Sequence, residues 1–257
     1  MVEIKKIKIH DNINIAEDNM ITGEVVITDD VAQANSCATQ NKPYIVWLNE
    51  ENRDKSMPSG AYCVENPDDI DDTYLERVYR RFYGIPWNIV ETRRLNIREI
   101  TKKDVPRLYE LYADEEITYY MENLFPDVAQ EIEYTENYIK NVYEFYGYGM
   151  WLITLKDSGL VIGRAGLECK EGFDGLELGF MLGKDFQGYG YAYEACSSII
   201  KYGVEELGIK DYCAVVHRNN KKSIKLCEKL GLSCDKEMED NWLMYTSKKT
   251  VLCIGKP

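Results

Sequence analysis

The sequence predicts an α/β protein of the α+β kind, built as a small α/β domain over residues 1–86 and a larger one over residues 87–257. Three observations carry this reading. An apolar run, a short helical stretch and a second apolar run follow one another in "EVVITDD", "VAQANSCATQ" and "YIVWL". Gly84 and Pro86 then punctuate the chain in "YGIPW". From Asn88 the apolar periodicity restarts and continues through hairpins and amphipathic helices to the C-terminal region.

Taken in order, the first domain reads as strand, helix, strand (Tyr44–Leu48), a third short strand in "AYCVE", and a helix "TYLERVYRRF" opened by the acidic turn "NPDDIDD". This alternation is Rossmann-like. In the second domain "NIVETRRLNIREI" alternates as one half-buried strand, and Thr101 caps a helix with apolar residues at Val105, Leu108, Leu111 and Tyr112. "MWLITLKDSGLVIGRAGLE" is a hairpin turning at Asp157–Gly159, and "GLELGFMLG" is a strand. A helix follows Gly190 and stops at Gly208, "DYCAVVH" is a strand, and "NKKSIKLCEKLG" is a helix. The tail "NWLMYTSKKTVLCI" supplies one or two more strands.

Composition narrows the function. The chain has 257 residues, 45% of them hydrophobic, and a formal net charge of -13 without a basic arm. Backbone neutralisation of nucleic acid needs clustered Lys and Arg, so no nucleic-acid partner is expected, whereas a cationic small molecule or basic peptide is attracted. Eight cysteines occur without a CxxC pair and with only His10 and His217 beside them, so no metal site is predicted. They read as small core residues of a reducing compartment. The absence of a long apolar run, and an N-terminus that mixes lysines with isoleucines, place the protein in the cytoplasm with no membrane partner.

The stretch "DFQGYGYAYEA" follows a strand, carries glycines and opens a helix, which makes it an anion site. It is no dinucleotide fingerprint, because a GxGxxG frame begun at Gly188 would place Tyr193 where a third glycine is needed. A Walker GK[ST] is missing as well. Gln187, Gly190 and Ala192 instead satisfy Q/R-x-x-G-x-G/A. With "HRNNKKSIKLCEKLGL" downstream, which matches N-x-x-S and E-K-L-G at Asn220, Ser223, Glu228, Lys229, Leu230 and Gly231, the sequence resembles the GNAT superfamily of N-acetyltransferases. Leu232 stands where that family usually has Phe. "TRRLNIREITKKDVPRLYELYADEEITYYM" and the Glu194–Ala195 pair are similar to the branch that includes ribosomal-protein alanine N-acetyltransferases. The likeness spans residues 90–257.

The resemblance implies a mixed, largely antiparallel sheet splayed between its fourth and fifth strands, with acetyl-CoA as cofactor. It implies coenzyme contacts from Gln187, Gly188, Tyr189, Gly190, Tyr191 and Ala192 around the pyrophosphate, and from Asn220 and Ser223 along the pantetheine. It further implies a thioester-polarising backbone N–H in the stretch Phe180, Met181, Leu182, and Glu177 as general base. On the residues alone, Glu177 also reads as an ordinary strand carboxylate, and Asn220 as the cap of its helix. The tyrosine that often serves as general acid is replaced by Cys227, which leaves that step unassigned. His217 ends its strand close to the predicted cofactor and reads either as catalytic or as a strand-end hydrogen-bonding residue, and the tyrosines of 134–151 are candidates for the border of the acceptor site or ordinary packing.

The expected activity is direct transfer of an acetyl group to a primary amine, either a small molecule or a peptide N-terminus, in a ternary complex. The competing reading is a catalytically weak acyl-CoA sensor with output through residues 1–86. Monomer and homodimer are both open. Residues 20–80 also faintly resemble the later half of a haloacid-dehalogenase-like domain. The DxDxT nucleophile motif of that family is absent, so Asp29 and Asp30 read as a helix N-cap pair.

Overall fold

The computed structural model describes residues 2–10, 20–58 and 60–247. It divides into two units, Met1–Trp87 and Asn88–Pro257.

In the first unit β1 (Val2–His10) pairs antiparallel with β2 (Met20–Thr28). α1 (Val31–Thr39), β3 (Tyr44–Trp47), β4 (Tyr62–Val64) and α2 (Asp72–Phe82) follow, with β2, β3 and β4 mutually parallel. Parallel neighbours need crossovers, and here α1 supplies the first of them. Apolar residues on alternate sides of the strands serve the two faces. Val26, Tyr44 and Val46 pack with Ala34 and Cys37 of α1, while Val25 and Ile45 pack with Leu75 and Val78 of α2. Asp30 caps α1, its Oδ1 accepting from Ala32 N–H at 2.8 Å, and the Asp29 carbonyl accepts from the buried Asn52 amide. The same amide donates to Trp47 O, tying the following loop to the ends of β2 and β3. β1 was not anticipated from sequence.

The second unit departs at its start from the single strand expected there. "NIVETRRLNIREI" is two strands, β5 (Asn88–Glu91) and β6 (Leu95–Arg98), paired antiparallel. Thr92 makes the turn by accepting from Leu95 N–H at 2.9 Å. α3 (Val105–Tyr112) and α4 (Glu115–Thr118) come next, preceded by a capping box in which Asp104 accepts from the Thr101 N–H and hydroxyl, each at 2.8 Å. α5 (Val128–Tyr138) runs through a π-helical turn, Ile139–Tyr143, into α6 (Glu144–Tyr146). Then follow β7 (Met150–Leu155), β8 (Val161–Cys169), β9 (Leu176–Leu182), α7 (Tyr191–Glu205), β10 (Tyr212–His217), α8 (Lys221–Lys229), β11 (Ser233–Glu237) and β12 (Trp242–Thr246). Cys253 and the tail of the last expected strand lie outside the described residues.

The strands form one sheet of order β11-β12-β10-β9-β8-β7-β6-β5, antiparallel throughout except for β9 beside β10. α7 covers one face. There a Cβ on Gly203 would lie 2.5 Å from the Tyr212 hydroxyl and 3.0 Å from Leu167 Cδ1, so glycine permits the close approach. α3 and α5 cover the opposite face, where the Tyr138 hydroxyl donates to Glu168 at 2.9 Å and a Cβ on Gly183 would meet Leu111.

Candidate active site

The site begins where two strands part. β9 and β10 share only the register pairs Leu176–Tyr212 and Glu177–Cys213. Beyond them β9 continues against β8 as far as Leu182–Gly163, and β10 continues against β12 as far as His217–Trp242. The wedge between the strands opens into a cleft of about 1280 Å³, bounded by Glu177–Leu182, by Val215–His217 and by the start of α8. Backbone groups of β9 that face β10 lose their ladder partners along this stretch, and a buried N–H demands an acceptor.

Glu177 stands at the closed end. It is register partner to Glu168 and two residues from Gly179, so its side chain lies on the α3/α5 face of the sheet. There it pairs with Lys170 at 3.1 Å and keeps 25% of its side chain exposed. At the open end the chain turns through Lys184–Phe186 into Gln187–Gly190, with Gly188 at φ 85° and Gly190 at φ 82°. Both values are in the left-handed region that glycine tolerates. α7 begins at Tyr191, so the N–H groups of its first turn face this loop without intrahelical acceptors. Gln187 fastens the loop to both lips: its Nε2 donates to Leu182 O at 3.1 Å, and its Oε1 accepts from Lys222 Nζ at 2.8 Å.

The donor set suits a diphosphate ligand. Left-handed glycines and a helix N-terminus present backbone N–H groups, and Lys221, Lys222 and Lys225 of α8 line the same cleft. In a chain of net charge -13 that local cationic edge is a marked reversal.

The acetyltransferase (GNAT) domain family matches residues 94–233. The chain belongs to the GNAT acetyltransferase family. The uncharacterized N-acetyltransferase p20 of Bacillus licheniformis is 30% identical over 154 residues, covering 58% of this chain and 84% of that protein. The uncharacterized N-acetyltransferase YoaA of Bacillus subtilis is 29% identical over 146 residues, covering 56% and 81%. Among solved structures, an acetyltransferase from Agrobacterium tumefaciens shares the fold at 24% identity and a TM-score of 0.52, over 62% of this chain and 94% of its own. RimL, a ribosomal alpha-N-protein acetyltransferase in complex with coenzyme A, shares it at 16% identity and a TM-score of 0.54, over 62% and 97%. The protein is thus an N-acetyltransferase, with the mixed sheet of the GNAT fold.

The GNAT cleft gathers most of the residues singled out from sequence. Glu177, Phe180, Met181, Leu182, Gln187, Gly188, Gly190, Tyr191, Ala192, Asn220 and Ser223 all line it. Tyr189 does not: the residue is 64% exposed, and its carbonyl accepts from Arg94. Asn220 caps α8, its Oδ1 accepting from Ser223 N–H at 3.1 Å. Cys227 lies on the buried side of α8 inside the core, where burial pushes its thiol up to about 12. Cys227 is not among the residues that line the cleft.

His217 lines the cleft with its ring stacked on Tyr120 at 4.9 Å and edge-on to Trp242 at 5.4 Å, while its Nδ1 accepts from Asn219 N–H. Of the tyrosines at 134–151, Tyr138 and Tyr143 are structural: Tyr138 accepts from Met150 N–H, and Tyr143 donates to Met150 O. Burial, followed by the neighbouring Glu168, raises the Tyr138 phenol far above its usual range. Sequence reasoning missed Lys222, Tyr120 and Trp242. Lys222 sat in the "NKKS" helix start and was legible there as a cation beside the cofactor stretch; the two rings carried no local signal.

Proposed function

We propose that the protein transfers an acetyl group directly from acetyl-CoA to a primary amine held in the same cleft. The observation that carries this reading is the parting of β9 from β10 immediately after Glu177–Cys213, with a carboxylate at the closed end and the glycine loop at the open end. Acetyl-CoA supplies the acetyl group as a thioester. Gly188, Gly190 and the first turn of α7 would hold its pyrophosphate through backbone N–H groups, with Gln187 and Lys222 at the rim. Asn220 and Ser223 border the path between the strands. An unpaired N–H of the Phe180–Leu182 stretch would donate to the thioester oxygen, the arrangement that stabilises charge developing there.

An amine attacks only when neutral. Lysine-type amines carry an ordinary pKa of about 10.4 and α-amines of about 7.7–8.0, so a base matters most for the former. Glu177 takes the amine proton on the acceptor face of the sheet. The acceptor is a small-molecule amine or a peptide N-terminus, and the working compartment is the cytoplasm.

The test is thiol release from acetyl-CoA against a panel of free amines and N-terminal peptides, for wild type and Glu177→Gln. Acceptor-dependent release that collapses in the variant supports the reading. Tight coenzyme A binding without turnover on any acceptor would overturn it in favour of a sensor.

A further inference from the structure

We propose that Arg94 is a positioning residue for the coenzyme: it fixes the Tyr189–Gly190 peptide so that the Gly190 N–H is aimed into the cleft before any ligand arrives. This rests on the reading of the cleft as a coenzyme A site. Arg94 sits just before β6, far in sequence from the loop it touches. Its Nη1 donates to the Tyr189 carbonyl at 3.0 Å, and its guanidinium lies 4.4 Å from the centre of the Tyr191 ring. A Cβ built on Gly190 would come 3.6 Å from its Nη2, so the guanidinium backs directly onto the glycine.

No described peptide bond is cis, and in a trans peptide the C=O and the following N–H point in opposite directions. Drawing the Tyr189 carbonyl toward Arg94 therefore turns the Gly190 N–H away from Arg94. Gly190 lines the cleft while the Tyr189 side chain does not, which makes the cleft the side left for that donor.

Arg94 is itself held. Its Nε donates to Glu194 Oε2 at 2.7 Å and its backbone N–H to Glu194 Oε1 at 2.9 Å, while the Thr92 hydroxyl donates to Glu194 Oε1 at 2.7 Å. These bonds span about a hundred residues of sequence and lock the β5–β6 turn to the first turn of α7. They also settle a charge problem. A carboxylate in the first turn of a helix opposes the binding of an anion at that end, and the Arg94 pair neutralises Glu194 where the pyrophosphate would sit.

The experiment is calorimetric titration of the full chain, wild type and Arg94→Met, with coenzyme A, ADP and pantetheine. ADP carries the pyrophosphate without the pantetheine arm, and pantetheine the reverse. The expected result is a loss of about tenfold in affinity for coenzyme A and ADP with pantetheine unchanged. Affinity for coenzyme A within about twofold of wild type, or an equal loss for pantetheine, would overturn the inference. If Arg94→Met does not fold by circular dichroism, Arg94→Lys decides. It keeps the charge without the fork, so the same selective loss supports the aimed carbonyl, and wild-type affinities refute it. A wild-type protein that binds none of the three overturns the coenzyme reading itself, whereas binding by wild type with no effect at position 94 refutes this inference alone.

Discussion

Glu177 and Cys213 are the last residues of β9 and β10 to face each other in register, and the cleft opens beyond that pair. The carboxylate therefore stands at the vertex of the wedge. Replacing Glu177 by Gln preserves shape and removes the carboxylate proposed as the base. Turnover with a lysine-type amine is expected to fall about 10²- to 10⁴-fold, while coenzyme A affinity by calorimetry stays at the wild-type value. Equal losses in both would place Glu177 in binding instead of proton transfer.

Cys227 makes the opposite prediction. It is fully buried between α8 and the sheet and does not line the cleft. Cys227→Ala is expected to cost about 1–2 kcal/mol in urea unfolding and to leave turnover within a few-fold of wild type. A large loss of turnover at unchanged stability would return the thiol to the mechanism.

Acid should weaken the GNAT unit through two carboxylates. Burial pushes Asp104 upward, but bonds from Arg98 and Thr101 outweigh it and hold the group below its usual value. Glu194 behaves alike: burial raises it, while Thr92 and Arg94 bring it lower on balance. A folded-state pKa below the unfolded one means stability that is present above about pH 4 and is lost as pH falls through the folded values. Asp104→Asn, which breaks a largely buried pair, is expected to cost about 3 kcal/mol at pH 7 and to flatten the acid dependence. Urea midpoints at pH 7 and pH 3 measure both effects, and an unchanged slope would remove Asp104 from the account.

Gly166→Ala isolates the sheet from the cleft. Its Cβ would meet the Gly149 carbonyl and come 2.6 Å from Met150 Cα, backbone atoms with no rotamer to change. The variant is expected to lose about 1–3 kcal/mol, read as a lower thermal midpoint. A wild-type midpoint would show that β7 and β8 separate freely.

Much of this was legible in the residues alone, because the signals were local. The Asp157–Gly159 turn between two apolar runs marked the β7–β8 hairpin, and the glycines before Tyr191 marked the loop and the start of α7. "NIVETRRLNIREI" was misread for a reason that locality cannot mend. Its apolar alternation continues across Thr92–Arg94, and what bends it there includes Glu194, about a hundred residues away. The phase of α8 likewise decided that Cys227 faces the core while Lys222 faces the cleft.

By itself the sequence determined most of the elements, the glycine loop before α7 and the family, since each is written in the spacing of neighbouring residues. Tertiary structure alone decided where β9 and β10 separate, which side of the sheet Glu177 occupies, and that Tyr120, His217 and Trp242 meet. Those facts depend on the register between strands and on contacts between distant segments. A shift of one residue in register reverses every side chain on a strand, and no spacing within a single segment encodes that choice.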